Sequence, residues 1–217
     1  IGETKHGMIA YGHNGELANF GPLKRAYLEK GHVLTKSSDS ELFLHSFAEA
    51  RGATLEERLA NAALPLKGAF SIVGITQDTL FAIRDPHGFK PLSVAQLNGG
   101  YMIASETTAF LDIQSAEWIG DVTPGSVLTI NSKGIKKVHF GREGHWKPCI
   151  FEQVYFARPD SHIAGRNVNM VRKELGKQLY QEAPIEADIV VSQNAKPGTV
   201  LDFWYRAIAK RGTGYVR

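Results

Sequence analysis

FEQVYFARPDS, at residues 151–161, is the stretch on which the reading of this chain turns. Val154, Tyr155 and Phe156 form a β-branched and aromatic run that predicts a strand. Pro159 fixes its own backbone and pushes the residue before it towards extended geometry. Arg158 is therefore expected to end the strand, with Arg158, Asp160 and Ser161 in a polar turn. Downstream, Val168, Val171, Leu175 and Leu179 recur at helical spacing and predict an amphipathic helix over 167–182. Residues 188–191 read as a buried strand. Strand, helix and strand in that order look like the beginning of an α/β domain. Just upstream, GREGHWKP at 141–148 has the composition of a linker.

Further upstream the texture differs. Residues 7–11 read as a short strand running into His13-Asn14-Gly15, a turn signal because Asn and Gly tolerate positive φ. A helix is expected over 23–30, entered after Pro22. Others are expected over 40–51, with Phe43, Phe47 and Ala50 on one face, and from Thr54, with Leu55, Leu59, Ala62 and Ala63 inward. Ser38-Asp39-Ser40-Glu41 and Thr54-Leu55-Glu56-Glu57 both fit a capping box. Beyond Lys67 the pattern becomes β. Runs 69–76 and 80–84 predict one hairpin, 92–97 and 101–105 flank Asn98-Gly99-Gly100 as a second, and 126–131 and 135–140 form a third. This order predicts an α+β class, antiparallel sheets packed against helices, and not a βαβ Rossmann unit.

With 217 residues, 43% hydrophobic and 22% charged, the composition is that of a globular protein. A formal net charge of +3 gives no argument for a nucleic-acid or membrane partner. No apolar run approaches the ~18 residues that span a bilayer. The N-terminal residues lack a signal-peptide design and an initiator Met, so an upstream part is expected. The single cysteine excludes an internal disulfide and fits a reducing, cytoplasmic setting.

Four stretches could carry chemistry. His13-Asn14-Gly15 reads either as a tight turn or as an oxyanion hole, in which an Asn amide and a Gly N–H supply fixed donors. Ser38-Asp39-Ser40-Glu41 reads as a helix cap that also places the Asp39 carboxylate to hold an ammonium. Arg84-Asp85-Pro86-His87-Gly88 reads as a turn. Ser105-Glu106-Thr107 reads as a helix start.

Residues 149–161 closely resemble the start of the phosphoribosyltransferase domain of amidophosphoribosyltransferases. The four upstream stretches occur in the order and approximate spacing of the glutaminase domain of class II glutamine amidotransferases. This resemblance spans roughly residues 7–191. It implies an N-terminal-nucleophile hydrolase type αββα sandwich over 1–146, followed over 147–217 by the beginning of an α/β phosphoribosyltransferase domain, with 192–217 not alignable. It implies that the full-length enzyme releases ammonia from glutamine and attaches it to phosphoribosyl diphosphate, giving phosphoribosylamine in the first step of purine synthesis. By resemblance, Asn14 and the Gly15 amide form the oxyanion hole and Asp39 binds the glutamine α-amine; Arg158 and Asp160, just past the linker, are expected to couple the domains. Mg²⁺ is implied at a site outside this chain, and a homo-oligomer for the full-length protein.

The family's nucleophile is an N-terminal cysteine, whose thiolate is intrinsically nucleophilic and whose α-amine serves as base. It also uses an upstream arginine for the glutamine carboxylate. Residue 1 here is Ile1, so the chain is expected to be an internal fragment, inactive by itself. Cys149 is either a packed thiol or, by resemblance, one ligand of the [4Fe–4S] cluster that some members carry. Two alternatives are another class II amidotransferase, such as an aminosugar-forming synthase, and a catalytically inactive scaffold.

Overall fold

The computed structural model of the chain describes residues 1–35, 38–141 and 145–184. It divides into two compact units: Ile1–Ser105 with Ile113–Pro148, and Glu106–Asp112 with Cys149–Arg217. The first unit runs β1 (Gly2–Thr4), β2 (Gly7–Leu17), α1 (Phe20–Glu29), α2 (Ser40–Glu49), α3 (Leu55–Ala63), β3 (Gly68–Ile75), β4 (Leu80–Arg84), β5 (Ser93–Leu97) and β6 (Gly100–Ala104). After α4 (Thr108–Leu111), part of the second unit, it resumes with β7 (Ala116–Asp121), β8 (Ser126–Asn131) and β9 (Gly134–His139).

All strand pairs are antiparallel. A six-stranded sheet has the order β1-β2-β3-β4-β8-β9, and a three-stranded sheet the order β6-β5-β7. The three expected hairpins form as β3–β4, β5–β6 and β8–β9. Alternation along the central strands separates two cores. Phe70, Ile72, Phe81, Ile83 and Val127 pack with Leu42, Phe43, Phe47 and Leu59 from the helices. Ala82, Leu128 and Ile130, on the opposite face, pack with Leu92, Val94 and Val122. β4 and β8 are thus covered on both faces, which explains their continuous apolar runs. Helices, large sheet and small sheet form the layers of an α+β sandwich. The same alternation puts Arg84 on the inter-sheet face. There its guanidinium donates to the carbonyls of Lys90, Val122 and Gly88 at 2.9, 2.8 and 3.2 Å.

Local expectations are corrected in the first unit, and one strand goes beyond them. His13-Asn14-Gly15 is not a turn, because β2 continues through it to Leu17, paired residue by residue with β3. The long partner strand overrides the local turn preference of Asn-Gly. β7, with no periodic signal of its own, pairs with β5 across a bulge. Thr54 caps α3, its hydroxyl accepting from the Glu57 N–H at 3.2 Å, but the Glu57 carboxylate accepts from the N–H of Ala53, one residue before the cap, at 2.8 Å, so only half of the expected box forms. No capping box is seen among the described residues at 38–41: Glu41 accepts from the N–H and hydroxyl of Thr35, and Asp39 turns to β2.

In the second unit, Glu152–Phe156 is a π-helical turn and not the expected strand. The Ala157 N–H reaches back to the Glu152 carbonyl at 3.0 Å. A tertiary partner explains the departure. Arg172 is 2% exposed and donates to the Gln153 carbonyl at 2.7 Å and the Ala157 carbonyl at 2.8 Å. Those groups are left over where the turn ends. The hairpin of β10 (His162–Ile163) and β11 (Arg166–Asn167) leads into α5 (Val168–Glu182), capped by the Asn167 side chain on the Met170 N–H at 3.1 Å. Ala157, Ile163 and Val168 form the core of this unit. The strand expected at 188–191 and the segment 192–217 lie outside the described residues. No helix among the described residues is long and apolar enough to cross a membrane.

Candidate functional site

β2 has β3 along one edge, whereas on the other β1 reaches only Gly7–Ile9. In an antiparallel pair, each residue turns its N–H and C=O to one side, and neighbouring residues alternate. Phe70, opposite Gly15, donates its N–H to the Asp85 carboxylate and its carbonyl accepts the Asp85 N–H. Both groups of Phe70 thus face away from β2. Gly15 and Phe70 are therefore a non-hydrogen-bonded pair, and the Gly15 N–H faces the edge that β1 leaves open. Leu17, two residues on, turns its N–H the same way, and the Asp39 carboxylate accepts it at 3.0 Å.

Asp39 reaches that edge because the start of α2 is fastened to β2. The Tyr11 hydroxyl donates to the Ser40 carbonyl at 2.7 Å, and His13 Nδ1 lies 3.2 Å from the Ser40 hydroxyl and 3.6 Å from Asp39 Oδ1. Tyr11 and His13 share the helix-facing side of the strand. Burial drives the Tyr11 hydroxyl up to about 12, so it stays a donor. Burial also pushes His13 below its ordinary value despite the opposing pull of Asp39. Its buried Nε2 makes no hydrogen bond among the described residues, and the Ala69 carbonyl also opposes the lowering.

Gly15 is required where it stands. Its φ is +144°, and an added Cβ would lie 2.0 Å from the Ala69 carbonyl oxygen. Asn14 is exposed, on the strand face opposite His13, and its amide has no partner among the described residues. Two stretches that the sequence could only place 24 residues apart thus meet: Gly15 and Asp39 share one edge, with Asn14 beside them.

The Arg84-Asp85 stretch is architectural. Asp85 is fully buried and accepts from the N–H groups of Phe70, His87 and Phe89 at 3.3, 2.8 and 3.1 Å. Its loop also holds the end of the predicted linker, since the Lys147 N–H donates to the His87 carbonyl at 2.8 Å.

In the second unit Arg158 and Asp160 form an exposed two-point ion pair at 3.1 and 2.8 Å. Sequence reasoning missed what holds their turn. The Glu106 carboxylate accepts from the Arg158 N–H at 2.9 Å and the Ser161 hydroxyl at 2.6 Å. The Thr107 hydroxyl accepts the His162 N–H at 2.8 Å and does not cap α4. No sequence signal joins residues that lie more than fifty positions apart.

Cys149 is a free, half-buried thiol. Among the described residues no three His, Cys, Asp or Glu side chains are placed to hold a metal ion. An iron–sulfur cluster needs several thiolates and the chain has one cysteine, so its own residues do not fit such a cluster.

Residues 2–112 match the family model of the glutamine amidotransferase domain. The chain is similar to amidophosphoribosyltransferase of Bacillus subtilis, 38% identical over 185 residues, covering 85% of this chain and 39% of that protein. It is 39% identical over 189 residues to the Mycobacterium bovis amidophosphoribosyltransferase, covering 84% of this chain and 36% of that one. The chain therefore spans about two fifths of the length of the curated relatives it matches. Among solved structures it is similar to the glutamine phosphoribosylpyrophosphate amidotransferase of B. subtilis complexed with ADP and GMP. The TM-score is 0.87 at 35% identity, over 94% of this chain and 45% of that one.

Proposed function

Because the chain belongs to the glutamine amidotransferase domain family, we propose that it forms the glutamine-handling part of an amidophosphoribosyltransferase, with the beginning of the phosphoribosyltransferase domain attached. One observation carries this reading. The Gly15 N–H and the Asp39 carboxylate occupy the same open edge of β2, the carboxylate on the N–H of Leu17. Two residues of strand are about 7 Å, close to the length of an extended glutamine from side-chain amide to α-amine. A carboxylate at one end holds the ammonium, and the N–H at the other faces the amide carbonyl that becomes an oxyanion. The exposed Asn14 amide supplies the second donor.

In this reading residues 1–146 are the glutaminase domain and 147–217 the start of the transferase domain. Arg158 and Asp160 couple the two, the thiolate nucleophile and the carboxylate-binding arginine come from outside these residues, and the chain by itself is inactive. Phosphoribosyl diphosphate and its Mg²⁺ are bound by parts of the enzyme outside this chain. The enzyme is a cytoplasmic homo-oligomer.

The test is glutamine-dependent ammonia release by the native full-length protein, with Asn14→Ala and Asp39→Ala beside it. Release that falls in both variants supports the assignment. A folded wild-type protein that releases no ammonia overturns it in favour of an inactive scaffold.

A further inference from the structure

The turn at 158–161 follows the sandwich strands in the sequence, yet the groups that fix it come from residues 106 and 107. One carboxylate oxygen of Glu106 accepts from both ends of the turn, the Arg158 N–H and the Ser161 hydroxyl. Ser161 is fully buried, so its hydroxyl has no water to fall back on. Its N–H closes the turn on the Arg158 carbonyl at 3.1 Å, and its carbonyl accepts the Val168 N–H at 2.9 Å, where α5 begins. Thr107, 4% exposed, takes the next N–H, that of His162. With the backbone of 158–162 held in this way, the Arg158 and Asp160 side chains pair with each other outside it.

Residues 106–112 leave β6 and return to β7, two strands of the small sheet. They are thus a strap covalently continuous with the sandwich at both ends, and they belong to the second compact unit. We infer that Glu106 and Thr107 are positioning residues that hold the Arg158–Asp160 turn and so link glutamine hydrolysis to use of the released ammonia. The inference rests on the proposed function. Neither residue touches substrate in this account; each acts through the turn.

The experiment measures, in the native full-length protein, the ratio of phosphoribosylamine formed to glutamine hydrolysed, and separately the rate with free ammonium replacing glutamine. Glu106→Ala is expected to lower the ratio at least threefold while leaving the ammonium-dependent rate within twofold. Glu106→Gln, which can still place an oxygen before both donors, restores most of the ratio. Thr107→Val, a smaller change, lowers the ratio in the same direction and serves if Glu106→Ala does not fold. A purely structural role would instead depress glutamine- and ammonium-dependent rates together. That result, or an unchanged ratio in both Glu106→Ala and Thr107→Val, overturns the inference. Failure of the wild-type protein to hydrolyse glutamine overturns the proposed function instead. Amide exchange at Arg158 and His162 then still reads the clamp, and exchange that does not quicken at least tenfold in Glu106→Ala would refute it.

Discussion

The carboxylate of Asp39 sits on the backbone N–H of Leu17 at 3.0 Å, at the open edge of β2 and two residues from Gly15. The contact serves the fold, by docking α2 on the strand, and in the proposed function it also places a negative charge where the substrate ammonium would be held. The two roles separate by substitution. Asp39→Asn keeps an acceptor for Leu17 but loses the charge. A hydrogen bond to a charged group contributes about 1.5–3 kcal/mol. The glutamine KM of the full-length protein is therefore expected to rise roughly 10- to 100-fold, with the melting temperature nearly unchanged. Asp39→Ala lowers both affinity and melting temperature.

Asn14 gives the opposite pattern. Its side chain is exposed, with no partner among the described residues, so Asn14→Ala leaves folding intact. Removing one oxyanion donor costs on the order of 10²–10³ in kcat. Steady-state glutaminase kinetics beside a urea melt check this. A fall in stability with kcat preserved would remove Asn14 from the site.

Gly15→Ala acts on the fold first. The residue has φ +144°, and a Cβ would meet the Ala69 carbonyl at 2.0 Å. A strained backbone position costs about 1–3 kcal/mol, and here the β2–β3 ladder must also open. The urea midpoint is expected to drop by at least the equivalent of ~2 kcal/mol.

Acid weakens the sandwich through two histidines. Burial holds His13 and His45 below the ordinary value of 6.5, against the opposing pull of Asp39 on His13 and of Glu41 and Glu49 on His45; His32 adds to the lowering at His45. His32 and His45 face each other Nδ1 to Nδ1 at 3.0 Å, a contact with room for one proton, and His32 Nε2 lies 2.8 Å from Glu49. With folded values below unfolded ones, the unfolded chain binds more protons in the window just under 6.5. Stability is therefore complete above that value and falls as the pH drops through it. Melting temperatures between pH 7.5 and 5 should decline, and His45→Gln should flatten the decline.

Arg172→Leu tests the π-helical turn. Removing the guanidinium leaves the carbonyls of Gln153 and Ala157 without this partner. Each buried unsatisfied group costs about 1–3 kcal/mol. Amide exchange in residues 152–163 should quicken strongly, while that of β3 and β4 stays slow.

The helices α2, α3 and α5 and the three hairpins were legible because each is written in neighbouring residues: apolar spacing, the Thr54 cap, Asn98-Gly99 at a tip. The identity of the site residues came from resemblance. Their arrangement did not, and Asn-Gly at 14–15 even pointed to a turn. Val154-Tyr155-Phe156 likewise carried strand propensity, yet they wind as a π-turn because Arg172 accounts for the carbonyls.

By itself, then, the sequence determined the α+β class, the helices α2, α3 and α5 and the three hairpins in their order. Periodicity and turn chemistry act over a few residues, and side-chain chemistry belongs to the residue itself. Only the tertiary structure decided that β2 runs on through Gly15, that Asp39 reaches the same edge, and that Glu106 holds the turn at Arg158. Those outcomes depend on which strand lies alongside and which distant carboxylate arrives. Hydrogen-bond partners separated by 22 and 52 positions leave no local imprint on either segment.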